Sequence, residues 1–384
     1  MDYVTNHWGY MHWMIKDLPT YDWIHQFPGY KQTNYRMATQ FDENASKYDT
    51  DLCMDGWFVK SMPDLNQSNP LVLNYLTQNA IWWIEYADLD GFRVDTYPYN
   101  DKTAIAKWTK SITDEYPHFN IVGEAWYYDQ AQIAYWQKDS KIAAIQSYNS
   151  NLPSVMDFTL EETIMNGVFN EDKQEWRNGM VKIFENFNND FLYPNINNIL
   201  VFVDNHDINR FNEYYKNDFK KYQMAMALIA TVRGIPQLYY GTEIGMAGSK
   251  AVGDGDIRRD FPGGWPGDAN NAFTVSGRTE EQKKFFDFTS QLFNWRKNKS
   301  VIHTGKMTHY VPDSNVYVYF RHNETESVMV IINNSAETQT FATTRFKENI
   351  QNYTTGNDII TKKIVDLKQD IEIGGKSAYI LELK

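Results

Sequence analysis

Short apolar runs that end in polar side chains recur along the first three hundred residues. Gly91–Asp95, Asn120–Glu124 and Leu200–Asp204 each end in a carboxylate, and Asn205, His206 and Asp207 continue the last of these runs. Continuous apolar runs of this length, each followed by helix-like sequence, predict buried strands of a parallel sheet. We count six strand ends, at Asn6, Asp95, Glu124, about Asp157, Asp204 and Tyr240.

The sequence between these runs has helical periodicity. Asn69-Pro70 provides an N-cap and a first-turn proline, and the stripe that follows predicts a helix. Further helices are predicted over 105–116, 172–188, 216–233 and 285–295. The stripe of the first helix comprises Leu73, Leu76, Ala80, Trp83 and Ala87.

The alternation of strands and helices predicts an α/β fold, a (β/α)8 TIM barrel that lacks its first strands, since six strand ends are two short of eight. Residues 1–300 would form this partial barrel. Residues from about 8 to 61 have no sustained periodicity and are predicted to be an irregular inserted B region. Residues 301–384 contain strand-like runs divided by turns and no helical period, which predicts a C-terminal all-β sandwich domain.

Charge and composition narrow the classes of partner. The net charge is -12, which argues against nucleic acid and anionic membranes, and no apolar run approaches the length of a membrane span. Aromatic residues make up 16% of the chain, which a large core or stacking on sugar rings would explain equally well. The lone Cys53 excludes an internal disulfide and says little about compartment.

Several motifs, in order, resemble the short sequence regions of the α-amylase family of glycoside hydrolases. Four of them resemble its four characteristic regions, and three more resemble its neopullulanase and cyclomaltodextrinase branch. The first four are Asp2-x-x-x-Asn6-His7, Gly91-Phe-Arg93-Val-Asp95, Gly123-Glu124-Ala-Trp126 and Phe202-Val-Asp-Asn205-His206-Asp207. The others are Met62-Pro-Asp-Leu-Asn66, the segment 234–243 and the segment 254–262.

The resemblance implies a retaining cleavage of α-glucosidic bonds by three carboxylates. Asp95 would be the nucleophile, Glu124 the general acid and base, and Asp207 the residue that binds sugar hydroxyls and favours ring distortion. Arg93 lies two residues before Asp95, hence on the same face of the strand, where it would hold Asp95 ionised. Glu124 would need a raised pKa in order to be protonated near neutral pH.

The resemblance also implies roles in substrate binding. His7 and His206 would donate hydrogen bonds to the sugar, and Asn205 would support them. Each residue has a structural alternative. A carboxylate at a strand end can cap the next helix, Arg93 can be a structural ion-pair partner, and a histidine can belong to the framework.

No cofactor is required by this reading, and no metal site is predicted. Asn6 resembles a calcium ligand of other amylases, so calcium stays open, but the remaining oxygen ligands cannot be identified from the sequence.

The expected activity is hydrolysis of α-1,4 bonds in maltooligosaccharides, cyclodextrins or pullulan. Many family members carry Lys-His shortly after the nucleophile, where this chain has Thr96-Tyr-Pro-Tyr99, and this favours short or cyclic maltodextrins. The alternatives are an α-1,6-cleaving or transglycosylating enzyme, and an inactive sugar-binding protein.

The first matching motif, Asp2-x-x-x-Asn6-His7, resembles the end of a barrel strand, yet only Met1 precedes it. We therefore expect an N-terminally truncated chain whose first two strands and leader are missing. Relatives of this branch are often periplasmic, which is the expected location, with the cytoplasm as the alternative. An oligomer is possible.

Overall fold

The computed structural model of the chain describes residues 1–384 and contains one parallel six-stranded sheet and a C-terminal antiparallel region. The six strands follow one another in the sheet in chain order. They are β1 Asp2–Val4, β2 Gly91–Asp95, β3 Asn120–Gly123, β4 Ser154–Met156, β5 Ile199–Val201 and β6 Ile235–Pro236. The six predicted strands are confirmed, but the fifth and sixth are shorter than predicted.

Helices separate the strands, as the periodicity predicts. They are α1 Trp13–Lys16, α2 Lys47–Asp55, α3 Pro70–Ala87, α4 Lys102–Glu115, α5 Gln130–Tyr135, α6 Lys141–Ala144, α7 Phe158–Met165, α8 Val181–Phe187, α9 Phe211–Tyr215, α10 Phe219–Thr231, α11 Asp254–Ile257, α12 Glu280–Lys297, α13 Ser300–His303 and α14 Lys347–Ile350. None of them combines the length and apolar character that crossing a membrane requires.

The chain divides into two compact units. The first comprises residues 1–158 and 191–200, and the second comprises residues 159–190 and 201–384. In the first unit β1 pairs with β2, β2 with β3, β3 with β4 and β4 with β5, all in parallel. In the second unit Gln237, directly after β6, donates its N–H to the carbonyl oxygen of Val201 in β5. The polar side chains after β1, β2 and β3 therefore lie at one edge of the sheet.

Helix α3 begins and ends as its sequence indicates. The side chain of Asn69 accepts from the N–H of Leu71, Pro70 occupies the first turn, and Asp88 ends the helix in the left-handed region. The buried face is rotated from the predicted stripe, since Val72, Leu76, Ala80 and Ile84 are the buried residues.

Two sequence predictions need correction. The segment predicted to be helical over 172–188 is helical only from Val181. The inserted region contains a regular element, the helix α2, whose N-cap Ser46 accepts from the N–H of Asp49.

The C-terminal region is all-β apart from the short helix α14 and the 3-10 turn before it. Its strands are β7 Lys306–Asp313, β8 Val316–His322, β9 Ser327–Asn333, β10 Gln339–Phe341, β11 Thr355–Asp358, β12 Ile364–Asp366, β13 Ile371–Ile373 and β14 Ser377–Leu383. A sheet in the order β12-β11-β14-β9-β8-β7 and the pair β10-β13 enclose a core that includes Phe320, Ile331, Phe346 and Leu381. The predicted all-β C-terminal domain is confirmed.

Candidate active site

Strand β2 presents Arg93 and Asp95 on the same face, as their spacing predicts. The Nη1 atom of Arg93 lies 2.7 Å from Oδ1 of Asp95. The side chain of Asp95 is 22% exposed, so the carboxylate is accessible to a ligand as well as paired. A guanidinium at this distance favours the ionised carboxylate and fixes its direction.

Glu124 follows strand β3, which lies beside β2 with Val94 paired to Gly123. Its Oε1 atom accepts from Nη2 of Arg93, and its Oε2 atom accepts from the N–H of Thr96 at 2.9 Å. The side chain is 7% exposed. One guanidinium therefore contacts both Asp95 and Glu124, each through a different nitrogen.

A third carboxylate on Arg93 was not predicted from the sequence. Asp2 on β1 lies 2.9 Å from Nη1 of Arg93, and the register of the two strands places these residues side by side. Burial alone would lower the pKa of Arg93, but the carboxylates of Glu124, Asp2 and Asp95 together raise it above its ordinary value. The guanidinium is therefore a permanent positive charge among three carboxylates.

The turn after Asp95 is structural. Thr96 has a φ of 47° in the left-handed region, and this turns its N–H towards Glu124. Tyr97 and Tyr99 are buried, and the Tyr97 hydroxyl contacts Oγ1 of Thr109 at 2.8 Å. Both tyrosines are therefore part of the packed interior after strand β2.

His7 lies directly after β1 in the same unit. It is 8% exposed, its ring stacks on Phe58 at 5.0 Å, and its Nδ1 atom lies 3.4 Å from Nδ2 of Asn6. Burial lowers the pKa of His7, and the charge of Asp95 offsets part of that effect. Since an amide nitrogen only donates, Nδ1 accepts and the proton of the neutral ring is on Nε2, which can donate to a ligand.

The other predicted site residues, Asn205, His206 and Asp207, lie in the second unit. Oδ1 of Asn205 accepts from the N–H of Asp207 at 2.8 Å, so Asn205 shapes the turn that carries the carboxylate. Nε2 of His206 lies 3.0 Å from Oδ2 of Asp207. The support of the two histidines by Asn205 stays a prediction.

Arg258 also contacts this turn, and sequence reasoning missed it. Its Nη2 atom donates to Oδ1 of Asp207 at 2.7 Å, and its Nε atom donates to the carbonyl oxygen of His206 at 2.8 Å. Arg258 belongs to the motif 254–262, but a contact across 51 residues leaves no local pattern. Arg93 thus pairs with Asp95 and Glu124 in the first unit, and Arg258 pairs with Asp207 in the second.

The helices that follow these carboxylates are capped by other side chains. Asp101 caps α4, Asp129 caps α5, and the N–H of Phe211 at the start of α9 donates to Asp204. The capping alternative is therefore wrong for Asp95, Glu124 and Asp207.

Asp204 is fully buried, and its carboxylate also accepts from the hydroxyl of Thr242 at 2.9 Å. Burial raises the pKa of Asp204 to about 6, although these hydrogen bonds lower it in part. The folded protein thus binds this proton more tightly than the unfolded chain, in which the pKa is 3.8. The stabilisation from the neutral carboxyl is complete below about pH 4 and is lost as the pH rises through about 6.

We expect the stability of wild type relative to Asp204→Asn to fall by up to about 3 kcal/mol between pH 4 and pH 7, because only wild type ionises there. Denaturant unfolding of both proteins at several pH values measures the difference. A difference that is constant, or that moves in favour of wild type as the pH rises, would contradict the assignment.

The residues around Asn6 do not complete a calcium shell. Oδ1 of Asn6 and Oδ1 of Asp64 are buried without a hydrogen-bond partner, which would suit a cation. However, the other oxygen of Asp64 lies 2.7 Å from Nδ1 of His25, and no three His, Cys, Asp or Glu side chains are placed to hold a metal. Calcium takes roughly six to eight oxygen ligands.

Comparison with known proteins identifies the family. The model of the α-amylase catalytic domain matches residues 1–327, and that of the cyclo-malto-dextrinase C-terminal domain matches residues 307–382. The chain therefore belongs to the α-amylase family, with a C-terminal domain of the cyclomaltodextrinase kind.

Individual relatives agree with this assignment. The chain is 28% identical over 310 residues to α-amylase 3 of Dictyoglomus thermophilum, a match that covers 74% of this chain and 57% of that protein. It is 24% identical over 283 residues to a cyclomaltodextrinase of Thermoanaerobacter pseudethanolicus, covering 73% of this chain and 43% of that protein. It is 26% identical over 286 residues to neopullulanase 2 of Thermoactinomyces vulgaris, again covering 73% and 43%. The chain thus spans about half the length of the curated relatives it matches.

Solved structures share the fold. The α-amylase from Geobacillus thermoleovorans complexed with acarbose matches with a TM-score of 0.78 and 23% identity over 100% of this chain and 76% of that one. The acarbose-soaked debranching enzyme of Nostoc punctiforme matches with a TM-score of 0.70 and 18% identity over 99% and 74%. These likenesses confirm the predicted fold class.

Proposed function

We propose that this protein is a retaining α-glucan hydrolase that cleaves α-1,4 bonds in maltooligosaccharides, cyclodextrins or pullulan. The observation that carries the proposal is the shared guanidinium of Arg93, which holds Asp95 and Glu124 together at the edge of the sheet. Retaining glycosidases need two carboxyl groups about 5–5.5 Å apart. Two carboxylates paired with the two terminal nitrogens of one planar group are compatible with that separation.

In the first step a carboxylate oxygen of Asp95 attacks the anomeric carbon, and the bond from that carbon to the glycosidic oxygen breaks. The proton of Glu124 moves to the departing oxygen. In the second step Glu124 takes a proton from water, whose oxygen attacks the anomeric carbon and releases Asp95. Two inversions give net retention. As a general acid Glu124 would need a raised pKa, and this stays a prediction.

The remaining residues would position the substrate. The neutral His7 would donate from Nε2 to a sugar hydroxyl, and Asp207 would bind sugar hydroxyls and favour ring distortion. His206 would donate to the substrate, and Asn205 would hold the turn. The relatives named cyclomaltodextrinase and neopullulanase support cyclodextrins and pullulan as substrates of this chain. The periplasmic location, with the cytoplasm as alternative, also stays a prediction.

The test is product analysis after incubation with maltotetraose, β-cyclodextrin and pullulan, with cellotetraose as a matched β-linked control. We expect cleavage of the α-glucans, none of cellotetraose, and α-anomeric products in proton NMR spectra recorded before mutarotation. Binding of maltotetraose without release of sugar would overturn the proposal in favour of a sugar-binding protein. Initial β-anomeric products would exclude the retaining mechanism.

A further inference from the structure

The segment 57–59 contributes side chains to two different surroundings. Phe58 stacks on His7 with centroids 5.0 Å apart and meets Tyr99 edge-on at 5.5 Å. Its neighbours Trp57 and Val59 instead line a cavity of about 720 Å³. We call it the B-region cavity, and neither His7 nor the cluster of Arg93, Asp95 and Glu124 is among the residues that line it.

The walls of the B-region cavity are held by backbone and indole hydrogen bonds. Tyr10 donates its N–H to the carbonyl oxygen of Ser61 at 2.8 Å. Trp57 donates its backbone N–H to Lys31 at 3.0 Å and its indole N–H to the carbonyl oxygen of His25 at 2.8 Å. These hydrogen bonds hold the cavity walls in place before any ligand binds. Binding therefore costs less conformational entropy than it would if the walls had to become ordered.

The lining leaves a large apolar surface in contact with water. Tyr10 is 48% exposed, Tyr30 is 46% exposed and Met11 is 79% exposed. Trp57 meets the ring of Tyr30 edge-on at 6.2 Å, and Phe27 completes the aromatic wall. A concentration of exposed aromatic surface around a concavity is typical of a ligand site.

The polar groups at the rim are available to a ligand. The hydroxyls of Tyr10, Tyr30 and Ser61 and the ammonium of Lys60 make no hydrogen bond within the protein. Lys60 is the only charged side chain of the lining. Apolar walls with a few hydroxyl partners and little charge suit a neutral ligand that has flat apolar faces and a polar edge, as a pyranose ring has.

We propose that the B-region cavity binds a stretch of α-1,4-glucan as an accessory site, separate from the cluster of Arg93, Asp95 and Glu124. The choice of α-glucan as the ligand rests on the proposed function. A second site for the same polymer would raise the effective concentration of the glucan chain at the catalytic site. Long glucans can occupy both sites at once, whereas a trisaccharide occupies only one.

The experiment compares Tyr10→Ala/Tyr30→Ala with Tyr21→Ala/Tyr48→Ala, which removes two exposed tyrosines of the same region that do not line the cavity. Calorimetric titration with maltotriose, of which one molecule occupies only one site, should give two sites per chain for the control and one for the cavity variant, both in the Asp95→Asn background. In the active background, KM for soluble starch should rise about tenfold in the cavity variant only. Its kcat/KM for a chromogenic maltotrioside should stay within about twofold of wild type, which also shows that it folds.

One site per chain in every protein, or an equal loss in both double variants, would overturn the accessory site and leave the hydrolase proposal intact. If kcat/KM for the maltotrioside falls in the cavity variant as well, the cavity belongs to the catalytic site. That result would also overturn the accessory site. If none of the proteins hydrolyses an α-glucan, but the control still binds at two sites and the cavity variant at one, the hydrolase proposal fails and the accessory site stands.

Discussion

Replacement of Asp95 by Asn is expected to lower kcat for maltooligosaccharides by a factor on the order of 10⁴ or more, the scale seen when an enzyme loses its nucleophile. The amide cannot attack the anomeric carbon. It keeps the size of the carboxylate and one oxygen to accept from Nη1 of Arg93, which donates to Asp95 at 2.7 Å. The melting temperature should therefore change little. Initial rates of reducing-sugar release and a thermal melt measure the two effects.

The matched control is Asp90→Asn, the same change at an exposed residue just before strand β2. It should leave the rate within about twofold of wild type, as surface substitutions usually leave stability and structure intact. An Asp95→Asn protein that is folded and retains more than a few per cent of activity would show that the nucleophile is elsewhere.

Replacement of Glu124 by Gln is expected to lower kcat for natural oligosaccharides by about 10² to 10⁴, the usual contribution of a general acid and base. For α-maltosyl fluoride the loss of the first step should be much smaller, because fluoride leaves without a proton. Single-turnover release of fluoride measures that step alone. The glutamine can still accept from the N–H of Thr96, which donates to Glu124 at 2.9 Å.

The control for this variant is Glu115→Gln at the exposed end of α4, which should behave as wild type with both substrates. Equal losses with the fluoride and with the natural oligosaccharide would mean that Glu124 positions the substrate and does not transfer the proton.

The strands and their terminal carboxylates could be predicted because both depend on local sequence. An apolar run that stops at Asp95 or Glu124 defines a buried strand and its polar end without any distant contact. The pairing of Arg93 with Asp95 also follows from a spacing of two residues within one strand.

What the sequence could not show depends on contacts between distant segments. Asp2 reaches Arg93 only through the register of β1 on β2, and Arg258 reaches Asp207 only through the fold of its loop. The late start of helix α8 has the same origin. Gly179 has a φ of 77°, and the N–H of Met180 donates to Asn315, which is 135 residues away.

The most direct test of the proposed chemistry is to identify the residue that becomes covalently bound to substrate. A 5-fluoro-α-glucosyl fluoride slows release of the glycosyl-enzyme, because fluorine destabilises the oxocarbenium-like transition state of the second step. Peptide mass spectrometry of the trapped protein should place one glycosyl group on Asp95. A stable adduct on any other residue would contradict the account.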